Sequence, residues 1–272
     1  GLAAGRRWIL TEGDPVPREA EPANGSAAQA VTTDRERAVA FWDRHRAAMQ
    51  ALKVERDLPK ATRLFRAALA LDPSHEDAHY YLGDCLASQG DVAGALAEYA
   101  ELTRLNPQSQ RGYSRWGTLR AMTAASARDL AAADEALDKA HRLNPEETGA
   151  LLALGEVALL GGRDRLAADR LGDACRTNPR AAGGLFLLGY LQWKKGDAAG
   201  AVRRLEAARE ALGPDWKPSG ATAEGDAAAK HYTESTPLAR FWAAWNGDAA
   251  PATAYADLDA YLRSVKRLTA RS

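Results

Sequence analysis

The sequence predicts an all-α chain built from repeated helix-turn-helix units, and three observations predict it. Prolines fall on a ruler: Pro73, Pro107, Pro145 and Pro179 are 34, 38 and 34 residues apart, and Pro214 follows 35 further on. Between the prolines the same residue types recur in the same slots. One slot holds Leu82-Gly83, Trp116-Gly117, Leu154-Gly155 and Leu188-Gly189, with Ala48-Met49 as its degraded version. The next holds Ala61, Ala95, Ala133, Ala167 and Ala201; four residues later come Phe65, Tyr99, Leu137, Leu171 and Leu205. Three later again come Ala68, Leu102, Ala140, Ala174 and Ala208. Turn residues supply the third observation, with Gly90-Asp91, Gly162 and Gly196-Asp197 set between the slots. Self-similarity at such a period is the mark of stacked helical hairpins, each unable to bury its apolar face alone.

The physical reason for each slot is simple. A glycine without a Cβ lets the two helices of a unit approach closely, the alanines let the second helix nestle against its neighbour, and the large residue fills the gap. Proline ends the second helix, because it lacks an N–H and clashes with the preceding turn. Glycine between the helices accepts positive φ at little cost. Taken together, the small, large and proline slots resemble those of the tetratricopeptide repeat family, over five units from about Trp42 to Asp215. That resemblance implies two antiparallel helices per unit, stacked into a right-handed superhelical solenoid with capping helices at its C-terminal end.

Taken in order, the chain divides into four parts. Residues 1–32 are rich in Gly, Ala, Pro and Glu and read as an extended N-terminal arm, whose short apolar patch Trp8-Ile9-Leu10 docks on the array. Residues 33–215 carry the five repeats, at about 42–75, 76–109, 110–147, 148–181 and 182–215. Thr33 is positioned as an N-cap, and Asp34 and Glu36 suit the positive end of a helix running from about 34 to 56. The third unit has four extra residues around 123–128, read as a lengthened turn or helix end and a tolerated surface insertion. Residues 216–236 form a linker with turn chemistry at Gly213–Gly220 and a short helix over about 223–231. Residues 237–272 are read as capping helices. The first has Thr236 as N-cap and Pro237 as first helical residue, and contains Leu238, Phe241, Trp242 and Trp245. The last spans about 253–268, with an apolar stripe at Tyr255, Leu258, Tyr261, Leu262 and Val265.

Composition narrows the function. With 36 basic and 36 acidic residues the formal net charge is zero, which speaks against the concentrated positive field that nucleic-acid binding needs. No apolar run is long enough to insert into a membrane. Cys85 and Cys175 fall in different units and read as small buried apolar residues rather than a disulfide. The chain starts at Gly1 rather than Met, so it is processed or trimmed, and its compartment stays open between the cytoplasm and export.

Few residues invite chemistry. His75-Glu76-Asp77-Ala78-His79 has the spacing of a zinc-peptidase helix, two histidines on one face with a glutamate between them. The repeat frame opposes it: His75 sits at the junction after Pro73, and His79 holds the slot of Tyr113, Leu151 and Leu185, which faces a neighbouring helix. A zinc-dependent hydrolase using this pair is therefore the minor reading. His231, Tyr232 and Glu234 form a polar cluster outside the repeats, read as a solvated helix end. No catalytic constellation, cofactor site or metal site is predicted, so the chain is read as non-enzymatic.

The expected function is protein or peptide binding. In tetratricopeptide arrays the first helix of each pair lines the concave face, and the resemblance assigns that face by slot. At one end it places Arg46, Gln50, Lys53, Tyr80, Asp84, Arg111, Arg115 and Thr118, polar and mixed in charge. At the other it places Leu152, Phe186, Tyr190 and Trp193, apolar and aromatic, with Glu156 the exception. The lysine and asparagine pairs with which some family members grip a terminal carboxylate are not matched, because these slots hold no asparagine. The aromatic end either receives an apolar partner segment or is filled by the chain's own Phe241, Trp242 and Trp245. Self-coverage is the favoured reading, which leaves the polar end as the open site. A structural subunit that oligomerises through its terminal segments is the remaining alternative, and the oligomeric state stays open.

Overall fold

Five of the helix starts fall where a short polar side chain caps them. Asp57, Asp91 and Asp197 each accept a hydrogen bond from the backbone N–H three residues on, and Ser109 does the same through its hydroxyl. Ser126 and Asp129 form a reciprocal capping box. The computed structural model describes residues 24–218 and 236–270. Among them there is no strand.

The array begins with α1 (Asn24–Gln50), which runs into a π-helical turn at Ala51–Glu55, and with α2 (Leu58–Leu69). Then follow α3 (Glu76–Ser88) with α4 (Val92–Leu105), and α5 (Gln110–Met122) with α6 (Ala127–Leu143). The last pairs are α7 (Thr148–Leu160) with α8 (Asp164–Thr177), and α9 (Ala182–Lys194) with α10 (Ala198–Leu212). Each helix packs against the next along the chain, first within its pair and then across to the following pair. Two C-terminal helices, α11 (Ala239–Ala244) and α12 (Pro251–Thr269), complete the described fold. The fold is an all-α helical-repeat solenoid with C-terminal capping helices.

The repeat slots are the core. All of the alanines at 61, 95, 133, 167 and 201, and the large residues Phe65, Tyr99, Leu137, Leu171 and Leu205, are fully buried, as are Ala68, Leu102, Ala140, Ala174 and Ala208. The glycine slot closes each pair by contact. A methyl added at Gly83 would stand 2.5 Å from the Tyr99 ring, one at Gly117 2.7 Å from Leu137, and one at Gly155 2.6 Å from Leu171. In the last unit the facing group is the Tyr255 hydroxyl from α12, in place of the repeat's own large residue.

Several boundaries differ from the sequence reading. Helix α1 starts at Asn24, so Thr33 is an interior residue and 24–32 are helical rather than extended. The four extra residues of the third unit are shared out. The turn Thr123–Ser126 is one residue longer than Gln89–Asp91, and α6, at 17 residues, is three longer than the 14-residue α4 and α8. Residues 1–23 and 219–235, with Trp8, the helix expected over 223–231 and the His231, Tyr232 and Glu234 cluster, lie outside the described residues. Cys85 and Cys175 are both free thiols.

Candidate functional site

Four of the polar residues expected on the concave face, Tyr80, Asp84, Arg111 and Arg115, converge. Tyr99 on α4 donates its hydroxyl proton to Asp84 Oδ1 at 2.6 Å, and Arg115 Nε lies 3.3 Å from the same oxygen. Arg115 also donates to the Tyr80 hydroxyl at 3.1 Å. Burial lifts the Asp84 carboxyl above its ordinary range, opposed by the Arg115 guanidinium and the Tyr99 hydroxyl. Asp84 is buried, and Arg115 retains only 17% of its side-chain exposure. Above this layer Arg111 stacks on the Tyr80 ring at 4.6 Å and pairs with Asp77. Lys53, on the π-helical turn after α1, stands over the Tyr81 ring at 5.5 Å, so that turn, α3 and α5 each supply a cation or an aromatic here.

The remaining polar candidates stand apart from that network. Arg46 pairs with Asp43 one turn away on α1, both strongly exposed. Gln50 is exposed and Thr118 half-buried, and neither joins a hydrogen bond or ion pair of the network among the described residues. Asp84 and Arg115 are thus a support for Tyr80, not open binding groups.

At the apolar end the chain's own C-terminal segment lies on the predicted residues. Tyr255 of α12 is fully buried, donates to the Phe186 carbonyl at 3.0 Å and stacks near Phe186, Tyr190 and Trp193, with ring centroids at 5.0, 5.7 and 5.8 Å. Tyr190 donates to Asp259 Oδ1 at 2.9 Å. Trp245 packs on Phe186, and Trp242 reaches Gly183, which also faces Leu152. Glu156 is fully buried, and its two oxygens accept from the Thr236 hydroxyl at 2.6 Å and from the Leu238 N–H at 2.7 Å. Burial pushes its carboxyl up to about 8 against those two donors.

This arrangement corrects the sequence reading of the C-terminal helix. Thr236 spends its hydroxyl on Glu156 instead of capping its own helix, and Pro237 and Leu238 form a turn. The helix therefore starts at Ala239 and ends at Ala244, leaving Trp245 beyond it, where its indole donates to the Asp248 carbonyl at 2.8 Å. Sequence reasoning missed Tyr255, Asp259 and the acceptor role of Glu156. The stripe on α12 was visible, but its partners lie 69 and more residues away in sequence.

The histidine pair does not form one site. His75 caps α3, its Nδ1 accepting from the Ala78 N–H at 3.3 Å, and it stacks on Phe41 at 4.5 Å. His79 is buried with both ring nitrogens engaged, Nδ1 with Glu98 at 2.6 Å and Nε2 with the Pro73 carbonyl at 2.8 Å. Burial pulls the His79 pKa down, but those two bonds and the Glu98 charge outweigh it and leave the pKa raised. Both residues are helix-end and inter-helix ties, and the zinc-hydrolase reading finds no support in them.

Residues 45–110 match the family model described as tetratricopeptide repeat. No curated protein sequence matches the chain. Among the solved structures that share the fold, three serve for comparison. PilF of Pseudomonas aeruginosa aligns at 18% identity over 85% of this chain and 97% of its own, with a TM-score of 0.57. TTC0263, a thermophilic TPR protein of Thermus thermophilus, aligns at 24% identity over 65% and 93%, with a TM-score of 0.52. YrrB, a TPR protein with an unusual peptide-binding site, aligns at 19% over 76% and 97%, with a TM-score of 0.53. Residues 45–110 thus carry the tetratricopeptide-repeat signature, and the helix pairs after them continue the same helical stack.

Proposed function

We propose that this chain is a non-enzymatic interaction module that takes an extended segment of a partner protein against the polar end of its concave face. The carrying observation is that the chain's own C-terminal segment already covers Phe186 and Tyr190, while Lys53, Arg46 and Gln50 stay exposed and Arg111 stays partly exposed over Tyr80. Arg111 and Lys53, each over an aromatic ring, offer donors for backbone carbonyls and carboxylates of a peptide. Tyr80 offers the apolar surface between them. The buried Asp84–Arg115–Tyr99 layer holds that surface rigid, which lowers the entropy cost of binding. A peptide-binding site in the structural neighbour YrrB supports the same class of activity.

The test is selection of binders from a displayed library of unstructured peptides, followed by calorimetry on the winners. Lys53→Glu together with Arg111→Glu should weaken the selected peptides at least about tenfold, the effect of losing two charge-assisted contacts of roughly 1 kcal/mol each. Circular dichroism should be unchanged, because both side chains lie outside the core. Unaltered affinity in the double variant would place the site elsewhere.

A further inference from the structure

The two ends of the stack are finished differently. At the C-terminal end α11 and α12 cover the last pairs, but at the N-terminal end α1 leaves Val39 56% and Trp42 51% exposed. Large apolar side chains bare at the end of a solenoid call for a cap. Beside them, between α1 and the α2–α3 junction, lies a cavity of about 300 Å³ lined by Asp34, Phe41, Trp42, Leu71, Asp72 and His75. Its chemistry is mixed. Phe41, Trp42 and His75 give it an aromatic wall, with ring centroids 4.5 to 5.3 Å apart. Asp34 and Asp72 give it acid, the Asp72 carboxyl being held below its ordinary range by its hydrogen bonds from Ser74. Arg37, the cation at the rim, is already tied to the Leu71 carbonyl and to Asp34.

We propose that the chain's own Arg6-Arg7-Trp8-Ile9-Leu10 segment docks here, its apolar residues on Val39, Phe41 and Trp42 and its two arginines toward Asp34 and Asp72. The order of residues matches the site: two cations followed by three large apolar side chains meet acid beside an aromatic wall. Reach matches as well. The cavity's α1 residues, 34 to 42, stand ten to eighteen residues after Asn24, or roughly 15–27 Å along the helix. Residues 11–23 connect Leu10 to that helix start, and thirteen residues reach at most roughly 43–47 Å, more than this distance. The segment therefore folds back along α1 without stretching its tether, and the short loop keeps its effective concentration at the site high.

The experiment is fluorine NMR of the full chain labelled with 5-fluorotryptophan, the Trp8 signal being assigned by its loss in Trp8→Phe. In the docked state that signal stands away from the free-tryptophan position and a soluble paramagnetic agent relaxes it severalfold less than in Trp42→Asp. Trp42 is half exposed, so Trp42→Asp should fold, and the other tryptophan signals report whether it has. Ile9→Asp, altering the arm and not the array, should release Trp8 in the same way. A Trp8 signal at the free position in the unaltered chain, relaxed equally in all variants, would overturn the proposal. So would protection that vanishes on dilution together with a dimer in sedimentation, since the occupant would then be a second copy.

Discussion

At the scale of single residues, Glu156 shows how a repeat protein adapts its code to a local task. Its slot on α7 is otherwise an apolar stretch, and the buried carboxyl group there finds polar partners in the Thr236 hydroxyl and the Leu238 N–H. With its pKa raised to about 8, the folded chain holds a proton on Glu156 that the unfolded chain gives up near 4.5. The folded state binds more protons across that window, so stability falls as pH rises from the ordinary carboxyl range toward 8. Glu156→Gln, which keeps an acceptor for Leu238 and offers a donor to Thr236, should remove that slope. Denaturant titrations at pH 5 and 7.5 should show the unaltered chain losing on the order of 3 kcal/mol more than the variant. The same pH dependence in both would show that Glu156 ionises freely. The sequence marked this residue as an exception, but the donors that explain it are 80 and 82 residues away. Spacing along a chain cannot show a contact that only the return of the C-terminus creates.

At the scale of elements, the helix pair was the most legible part of the molecule. The slots of Gly83, Ala95 and Tyr99 were read from residue size alone, because a stack repeats its contacts and so repeats its constraints. Gly83 faces the Tyr99 ring, and that ring is held in place by the hydrogen bond to Asp84. Gly83→Ala should therefore cost about 1–3 kcal/mol by overpacking, more than the roughly 1 kcal/mol that alanine returns in helix propensity. Thermal unfolding checks the sign: an equal or higher midpoint would mean the pair can open to admit a methyl. Helix ends were less legible. Thr33 fits an N-cap by composition, yet α1 continues upstream through residues that carry no helix stop. The left-handed residue that ends the first turn is Arg56, at φ 57°, in the slot held by Gly90, Gly162 and Gly196 in other units. Asp57 then caps α2 as Asp91 caps α4, so the turn survives without its glycine.

At the scale of the whole molecule, the core falls into two clusters. One joins α1 to α4 with Leu119, and the other runs from α5 and α6 through α7 to α10 and takes in Leu238, Trp245, Tyr255, Leu258, Leu262 and Val265. The C-terminal segment is thus part of the second core and not an appendage on it. It covers Phe186 and Tyr190 and leaves Lys53, Tyr80 and Arg111 beside the first cluster uncovered by it, the face on which the proposed partner would dock. The array was legible from its period, and self-coverage of its aromatic end was the favoured reading; that Tyr255 and Asp259 do the covering was not legible, because it depends on where a non-repeating tail comes to rest. The central claim is that this tail fills the aromatic end of the groove in the free chain. The most direct measurement is nuclear Overhauser transfer between the Tyr255 ring and the rings of Phe186 and Tyr190 in selectively labelled, dilute protein. Centroids 5.0 and 5.7 Å apart predict strong cross-peaks to both. Their absence, with the Tyr255 ring at free-tyrosine shifts, would contradict the account.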